Sequence, residues 1–192
     1  MSSIKLTADS NGGTFELKAP ASSSNTRILT LPDSASGTVL TTTNPKSGTI
    51  VQTVTVTGES DLASTSTSFV ETPVTGSITP ESSSSKIIIT CCVPVWAAAG
   101  SYLHVQLRSS GGNTNNNIGE WADAYSTAGS AGAAYNSMYR WVHTSHNTTS
   151  AITYKIFAHK QTSSGASWYF PNNNDDGNRT LSFVFTMEEQ VA

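Results

Sequence analysis

The residues to test first for chemistry are the four histidines, His104, His143, His146 and His159. His143 and His146 stand three apart, and on a strand two positions at odd spacing face opposite sides of the sheet. They are therefore read as surface or interface histidines, and no metal ligand is assigned. Asn172-Asn173-Asn174-Asp175-Asp176-Gly177-Asn178 has the polarity of a calcium loop. It lacks the alternating carboxylates and distal glutamate of the EF-hand pattern, so it reads as a polar loop tip. Glu120 and Asp123 are carboxylates close in sequence, but the acid pair of a glycosidase usually comes from separate elements held at a defined gap. There is no Gly-x-Ser-x-Gly elbow and no phosphate-cradling glycine loop, since Gly111-Gly112 lies among asparagines with no helix to follow. No catalytic residue and no cofactor are assigned, and an enzyme is not expected.

Cys91 and Cys92 are adjacent, so on a strand they point to opposite faces. The geometry of a disulfide is demanding enough that a bridge between neighbours strains the peptide. Both are expected to be buried, reduced thiols acting as small hydrophobes. Asn147-Thr148-Thr149 and Asn178-Arg179-Thr180 match glycosylation acceptors, as chance provides in a threonine-rich chain. The aromatic set is richer: Trp121, Tyr125, Tyr135, Tyr139, Trp141, Trp168 and Tyr169, among Asn, Ser and Gly. Such rings either pack in a core or an interface, or serve as exposed anchors for sugars and proteins. Trp168 and Tyr169 are the first choice for an exposed contact, with Trp121, Tyr125 and Trp141 beside them.

The elements that must position these residues are written in the composition. Charged residues make up 12% of the 192, while 30 Ser, 27 Thr, 14 Gly and 13 Asn dominate. Seven Glu and six Lys are too few for charged amphipathic helices, and Ser, Thr, Asn and Gly disfavour helix interiors. A net charge of −3 gives no footprint for nucleic acid. No apolar run approaches a membrane span, because Ile87 to Ala99 is broken by Thr90 and Pro94. Met1 to Ile4 has no secretory pattern, so synthesis in a cytoplasm is expected.

Alternation of apolar and polar residues marks the strands. Residues 1–47 contain four short stretches: Ile4 to Leu6, Thr14 to Leu17 with Phe15, Arg27 to Leu31 with Ile28 and Leu29, and Thr38 to Leu40. Asn11-Gly12 predicts a hairpin after the first. This segment is short and poor in apolar residues, as in units that fold by docking or oligomerising. Asn44 to Gly48 reads as a linker. Residues 48–192 then carry about eight strands: Thr49 to Thr57, Thr67 to Ile78 (an edge strand, given Pro73), Lys86 to Trp96 (buried on both faces, with Pro94 at an edge or bulge), Tyr102 to Arg108, Ser137 to His143, Ala151 to Lys160, Ser167 to Phe170 and Thr180 to Glu188. Glu120 to Tyr125 offers a short helical turn. The spacing predicts an all-β chain: a small β module, then an antiparallel β-sandwich of jelly-roll type.

Two pieces resemble known proteins. Gly13 to Pro20, Thr30-Leu31-Pro32 and Gly37 to Leu40 resemble a β-repeat that opens many bacteriophage tail-fibre and virion surface proteins. More loosely, Ser85 to Ile89, the Asn-rich Gly111 to Asn117, Ser150 to Lys155 and Thr186 to Glu189 resemble the β-sandwich heads of structural proteins from marine and cyanobacterial phages. The resemblance implies a virion structural protein of fibre or decoration type, a homotrimer attached to other virion proteins of head or tail through its N-terminal module. The residues of that module are Ile4, Leu6, Phe15, Leu17, Ile28, Leu29 and Leu31. Contact with a host-surface glycan is a further expectation. A monomeric carbohydrate-binding module and a polysaccharide-degrading enzyme stand as alternatives. The thin supply of Leu, Ile, Val and Phe suggests a core completed by sister chains.

Overall fold

The computed structural model describes residues 3–7, 14–18, 45–97, 100, 102–110, 117–123, 133–161, 167–171 and 182–192. The expected strands at 27–31 and 38–40, with Ile28, Leu29 and Leu31, lie outside these residues, as do Tyr125, the Asn172 to Asn178 loop and the acceptor at Asn178. The chain divides into two compact units, Met1–Val39 and Leu40–Ala192.

In the first unit, β1 (Ser3–Thr7) and β2 (Thr14–Lys18) form an antiparallel pair. Ile4 stands opposite Leu17 and Leu6 opposite Phe15, and the expected turn at Asn11-Gly12 lies outside the described residues.

Among the described residues, the second unit holds eight long strands and two short ones. The long ones are β3 (Ile50–Gly58), β5 (Val70–Ile78), β6 (Lys86–Ala97), β7 (Leu103–Ser110), β8 (Gly119–Asp123), β9 (Ala133–His143), β10 (Ile152–Lys160) and β12 (Phe183–Gln190). The short ones, β4 (Ala63–Ser64) and β11 (Trp168–Tyr169), extend one sheet past the end of β6. One sheet runs β3-β12-β6 with β9 on the far side of β6, and the other runs β5-β10-β7-β8. Numbered one to eight along the chain, the long strands fall in the orders 1-8-3-6 and 2-7-4-5. That is the interleaving of an eight-stranded jelly roll, in which consecutive strands keep crossing between the sheets. All the pairings are antiparallel.

The alternation read from the sequence is the burial observed. Leu103, Val105 and Leu107 of β7, Ile152, Tyr154 and Ile156 of β10, and Phe183, Phe185 and Met187 of β12 all face the core. They meet Ile87, Ile89, Cys91, Val93 and Val95 from β6 and Tyr139 and Trp141 from β9. This core is built within one chain, so the sandwich does not need sister chains to complete it. On the outer faces, hydroxyl residues pair directly across strands: Thr55 with Thr186 at 3.4 Å and Ser77 with Thr153 at 2.7 Å.

Two prolines sit where the ladders permit them. Pro73 lies in an irregular stretch of edge strand β5, where the register shifts between Lys155 and Phe157. There Thr72 Oγ1 donates to the Ile156 carbonyl at 2.9 Å. Pro94 pairs with Asn136 on one side and falls, on the other, in the gap between β12 and β11. A residue without an N–H is tolerated at such interruptions.

Two expectations are corrected. Residues 119–123 form strand β8 rather than a helical turn, because five register pairs with β7 outweigh weak local propensity. Cys91 is buried but Cys92 is exposed, since the two sides of β6 face the core and the outside.

Candidate functional site

The outer face of the four-stranded sheet gathers the charged and imidazole side chains. β7 contributes His104, Gln106 and Arg108, the outward positions of a strand whose odd-numbered residues fill the core. β10 contributes Lys155, Phe157 and His159 by the same alternation. In register, His159 faces His104, Phe157 faces Gln106 and Lys155 faces Arg108. Glu120 of β8 stands opposite Gln106.

These side chains are tied to one another. Glu120 Oε1 lies 3.1 Å from His104 Nδ1, and its other oxygen is 3.5 Å from Gln106 Nε2. The Arg108 guanidinium stacks over Phe157 with its carbon 4.0 Å from the ring centroid, and 5.3 Å from that of Phe69. Phe69 meets His159 edge-on at 4.4 Å. Lys155 Nζ donates to Glu71 Oε1 at 2.7 Å, an exposed pair of small energetic weight. Glu71, Arg108, Lys155 and Phe157 line a cavity of about 530 Å³.

A second polar group is wholly internal. The Glu189 carboxylate is buried and accepts from the Glu81 and Ser82 amides at 2.9 and 3.1 Å, and from Ser85 Oγ at 2.7 Å. Ser85 Oγ also lies 3.3 Å from His146 Nε2. Serine, histidine and carboxylate thus meet, but the acid holds the serine and not the histidine, and all three are closed off from solvent. A triad needs the acid on the imidazole and an accessible nucleophile, so this group is structural. His143 Nδ1 lies 2.8 Å from Tyr154 Oη. Burial first, and then the nearby His146, hold the His143 pKa below its ordinary value. Burial pushes the Tyr154 hydroxyl up.

The histidine expectation is therefore corrected: His143 and His146 are buried, with ring centroids 5.8 Å apart. Odd spacing does not part them, because β9 ends at His143 and His146 lies beyond it, where alternation no longer applies.

The aromatic expectations divide. Trp168 is fully buried, with Nε1 donating to the Ser66 carbonyl at 3.0 Å, so it is no surface contact. Trp141 is buried too, stacked on Tyr139. Tyr169 is half-buried, edge-on to Trp96. Trp121 is 50% exposed and, with Tyr135 and Met138, lines a cavity of about 340 Å³ beside β9. Of the module residues, Ile4, Leu6, Phe15 and Leu17 lie in β1 and β2. Of the carboxylate pair, Glu120 is engaged with His104, while nothing is described of the Asp123 side chain. The Arg108, Phe157 and Phe69 stack was missed as a group, although the alternation of His104, Gln106 and Arg108 placed them on one face.

The outer face of the other sheet carries an apolar row. Met138 of β9, Cys92 of β6 and Val184 of β12 stand side by side in register, and all are exposed, Met138 at 71%. Val142, four residues along β9, is exposed as well.

Fold and surface together define an eight-stranded jelly roll with one polar and one partly apolar outer face. No protein-family model and no curated protein matches the chain. Among solved structures, it is similar to that of the infectious bursal disease virus Gt strain, at 14% identity and TM-score 0.41, covering 97% of this chain and 46% of that one. It is also similar to the VP2 subviral particle of infectious bursal disease virus, at 16% identity and TM-score 0.42, covering 93% and 47%. The chain spans about half the length of those chains.

Proposed function

We propose that the chain is a structural protein of a bacteriophage particle, a homotrimer of fibre or decoration type. Residues 1–47 attach it to neighbouring virion proteins, and residues 48–192 project as the exposed jelly roll. The observation that carries this reading is the open row of Met138, Cys92 and Val184. A sandwich whose core is already complete gains nothing from an apolar outer stripe, whereas a second copy of the chain covers it. To one side of the row on the same face, Arg140 of β9 stands one outward position away and Glu188 of β12 two, so two copies meeting there can set unlike charges against each other. Its work is mechanical and adhesive, and no enzymatic activity is assigned.

Light scattering of the full chain tests the reading. A trimer is expected, reduced towards monomer by Met138→Lys with Val184→Lys. A stable monomer at high concentration overturns it and favours the carbohydrate-binding alternative. Trp121 and Tyr135 are the residues that favour sugar contact, and Trp121→Ala is expected to abolish binding on an array of host-surface glycans.

A further inference from the structure

His104, Glu120 and His159 come from three adjacent strands, β7, β8 and β10. Each offers one ligand atom, and the three atoms lie within 4.8 Å of one another. The two imidazoles stand directly across the β7–β10 ladder, stacked at 4.8 Å and 17°.

Hydrogen bonding marks these rings as more than a stacked pair. With a carboxylate at 3.1 Å, His104 Nδ1 carries the proton in the neutral ring, which leaves a lone pair on Nε2. That nitrogen is buried and has no hydrogen-bond partner. His159 Nδ1 faces the Lys160 carbonyl at 2.8 Å and so is a donor too, which places its lone pair on Nε2. Fixing the tautomer through Nδ1 by a carboxylate or a carbonyl is how metal-ligating imidazoles are oriented. Arg108, the nearby cation, is already engaged by Phe157, Phe69 and Gln106.

We propose that His104 and His159 bind one divalent transition-metal ion of the zinc class through Nε2, with Glu120 as the anion that orients His104 through Nδ1. Imidazole suits that class of ion, and two protein ligands leave positions for water or a partner's group. Ligand atoms about 2.0–2.2 Å from a tetrahedral ion lie about 3.4 Å apart. Binding therefore turns the rings about χ2, a broad torsion, to bring the lone pairs together. The bound ion would fasten β7 to β10, with Glu120 of β8 holding the His104 ring behind it.

The test uses the untagged full chain, stripped with chelator and titrated with zinc chloride alone. One zinc per chain is expected after desalting, with a melting temperature that rises with zinc concentration. His104→Gln and His159→Gln are each expected to weaken binding at least tenfold while leaving the circular dichroism spectrum unchanged. In the wild-type chain, zinc is expected to protect His104 and His159 from diethyl pyrocarbonate, read by mass spectrometry, which needs no variant to fold. No saturable uptake, uptake that persists in the double variant, or zinc-independent modification of both histidines would overturn the site.

Discussion

Ser85 Oγ donates to Glu189 Oε1 at 2.7 Å across 104 residues of chain, and so fastens the turn before β6 to the end of β12. The same carboxylate takes the Glu81 and Ser82 amides. A buried charge is tolerable when its lone pairs are filled in this way, and its donors are stranded when it is removed.

Glu189→Ala leaves three donors without their acceptor. Hydrogen bonds to a charged group are worth about 1.5–3 kcal/mol, and the variant is expected to lose about 3 kcal/mol in all. Urea unfolding measures it, with the exposed Glu81→Ala as a control expected to lose little. A shift in midpoint no larger than the control's would mean that the turn is held by something else.

Stability is expected to fall in mild acid because of His143. Its folded pKa is depressed below 6.5, by burial and then by His146, so the unfolded chain binds its proton more readily. The contribution is full above the unfolded pKa and is lost as pH falls from there towards the folded pKa. His143→Gln keeps a polar partner for Tyr154 and should flatten this part of the profile. An unchanged slope in thermal melts below pH 6.5 would remove His143 as the cause.

The two thiols are expected to react very differently. Burial pushes the Cys91 pKa up, which withholds the reactive thiolate, while Cys92 is exposed on the outer face of β6. A thiol reagent should modify one cysteine per folded chain, mapped to Cys92, and the second only in denaturant. If copies cover the Met138 and Val184 row, Cys92 is protected in the assembly and released by dilution to monomer.

Gly58 faces Phe183 across the β3–β12 pair, and the ring covers it: a Cβ at Gly58 would stand 2.7 Å from two ring carbons. Gly58→Ala must displace a rigid, buried aromatic, for about 1–3 kcal/mol of lost stability. Paired Gly58→Ala and Phe183→Leu should recover part of the loss, and additivity in the double variant would refute the contact.

Most of the sandwich was legible because its strands are half-buried, and half-burial is what alternation records. Phe183, Phe185 and Met187 declare an inward face as plainly as Leu103, Val105 and Leu107 do. β8 was not legible, because Glu120 to Asp123 has no alternation and gains its extended form from β7. The aromatics failed for a related reason. Trp168 follows a serine and precedes an asparagine-rich stretch, and such neighbours look like surface, yet the indole turns inward to Ser66. Likewise His104, Glu120 and His159 are far apart in sequence and meet only through strand order, which spacing along the chain does not carry.

One closure at the rim of the sandwich bears on chain order itself. Turn residues 46–49 are bound to the last strand: Gly48 N donates to the Val191 carbonyl at 2.9 Å, Val191 N to the Thr49 carbonyl at 2.9 Å, and the Gln190 amide to the Gly48 carbonyl at 3.1 Å. The first and eighth strands of the jelly roll thus meet like the clasp of a bracelet. A loop that is already a ring in space can be opened elsewhere: joining the region of residue 192 to residue 45 with a short linker, and cutting an exposed turn such as 147–150, gives a permuted second unit that keeps every ladder of the sandwich.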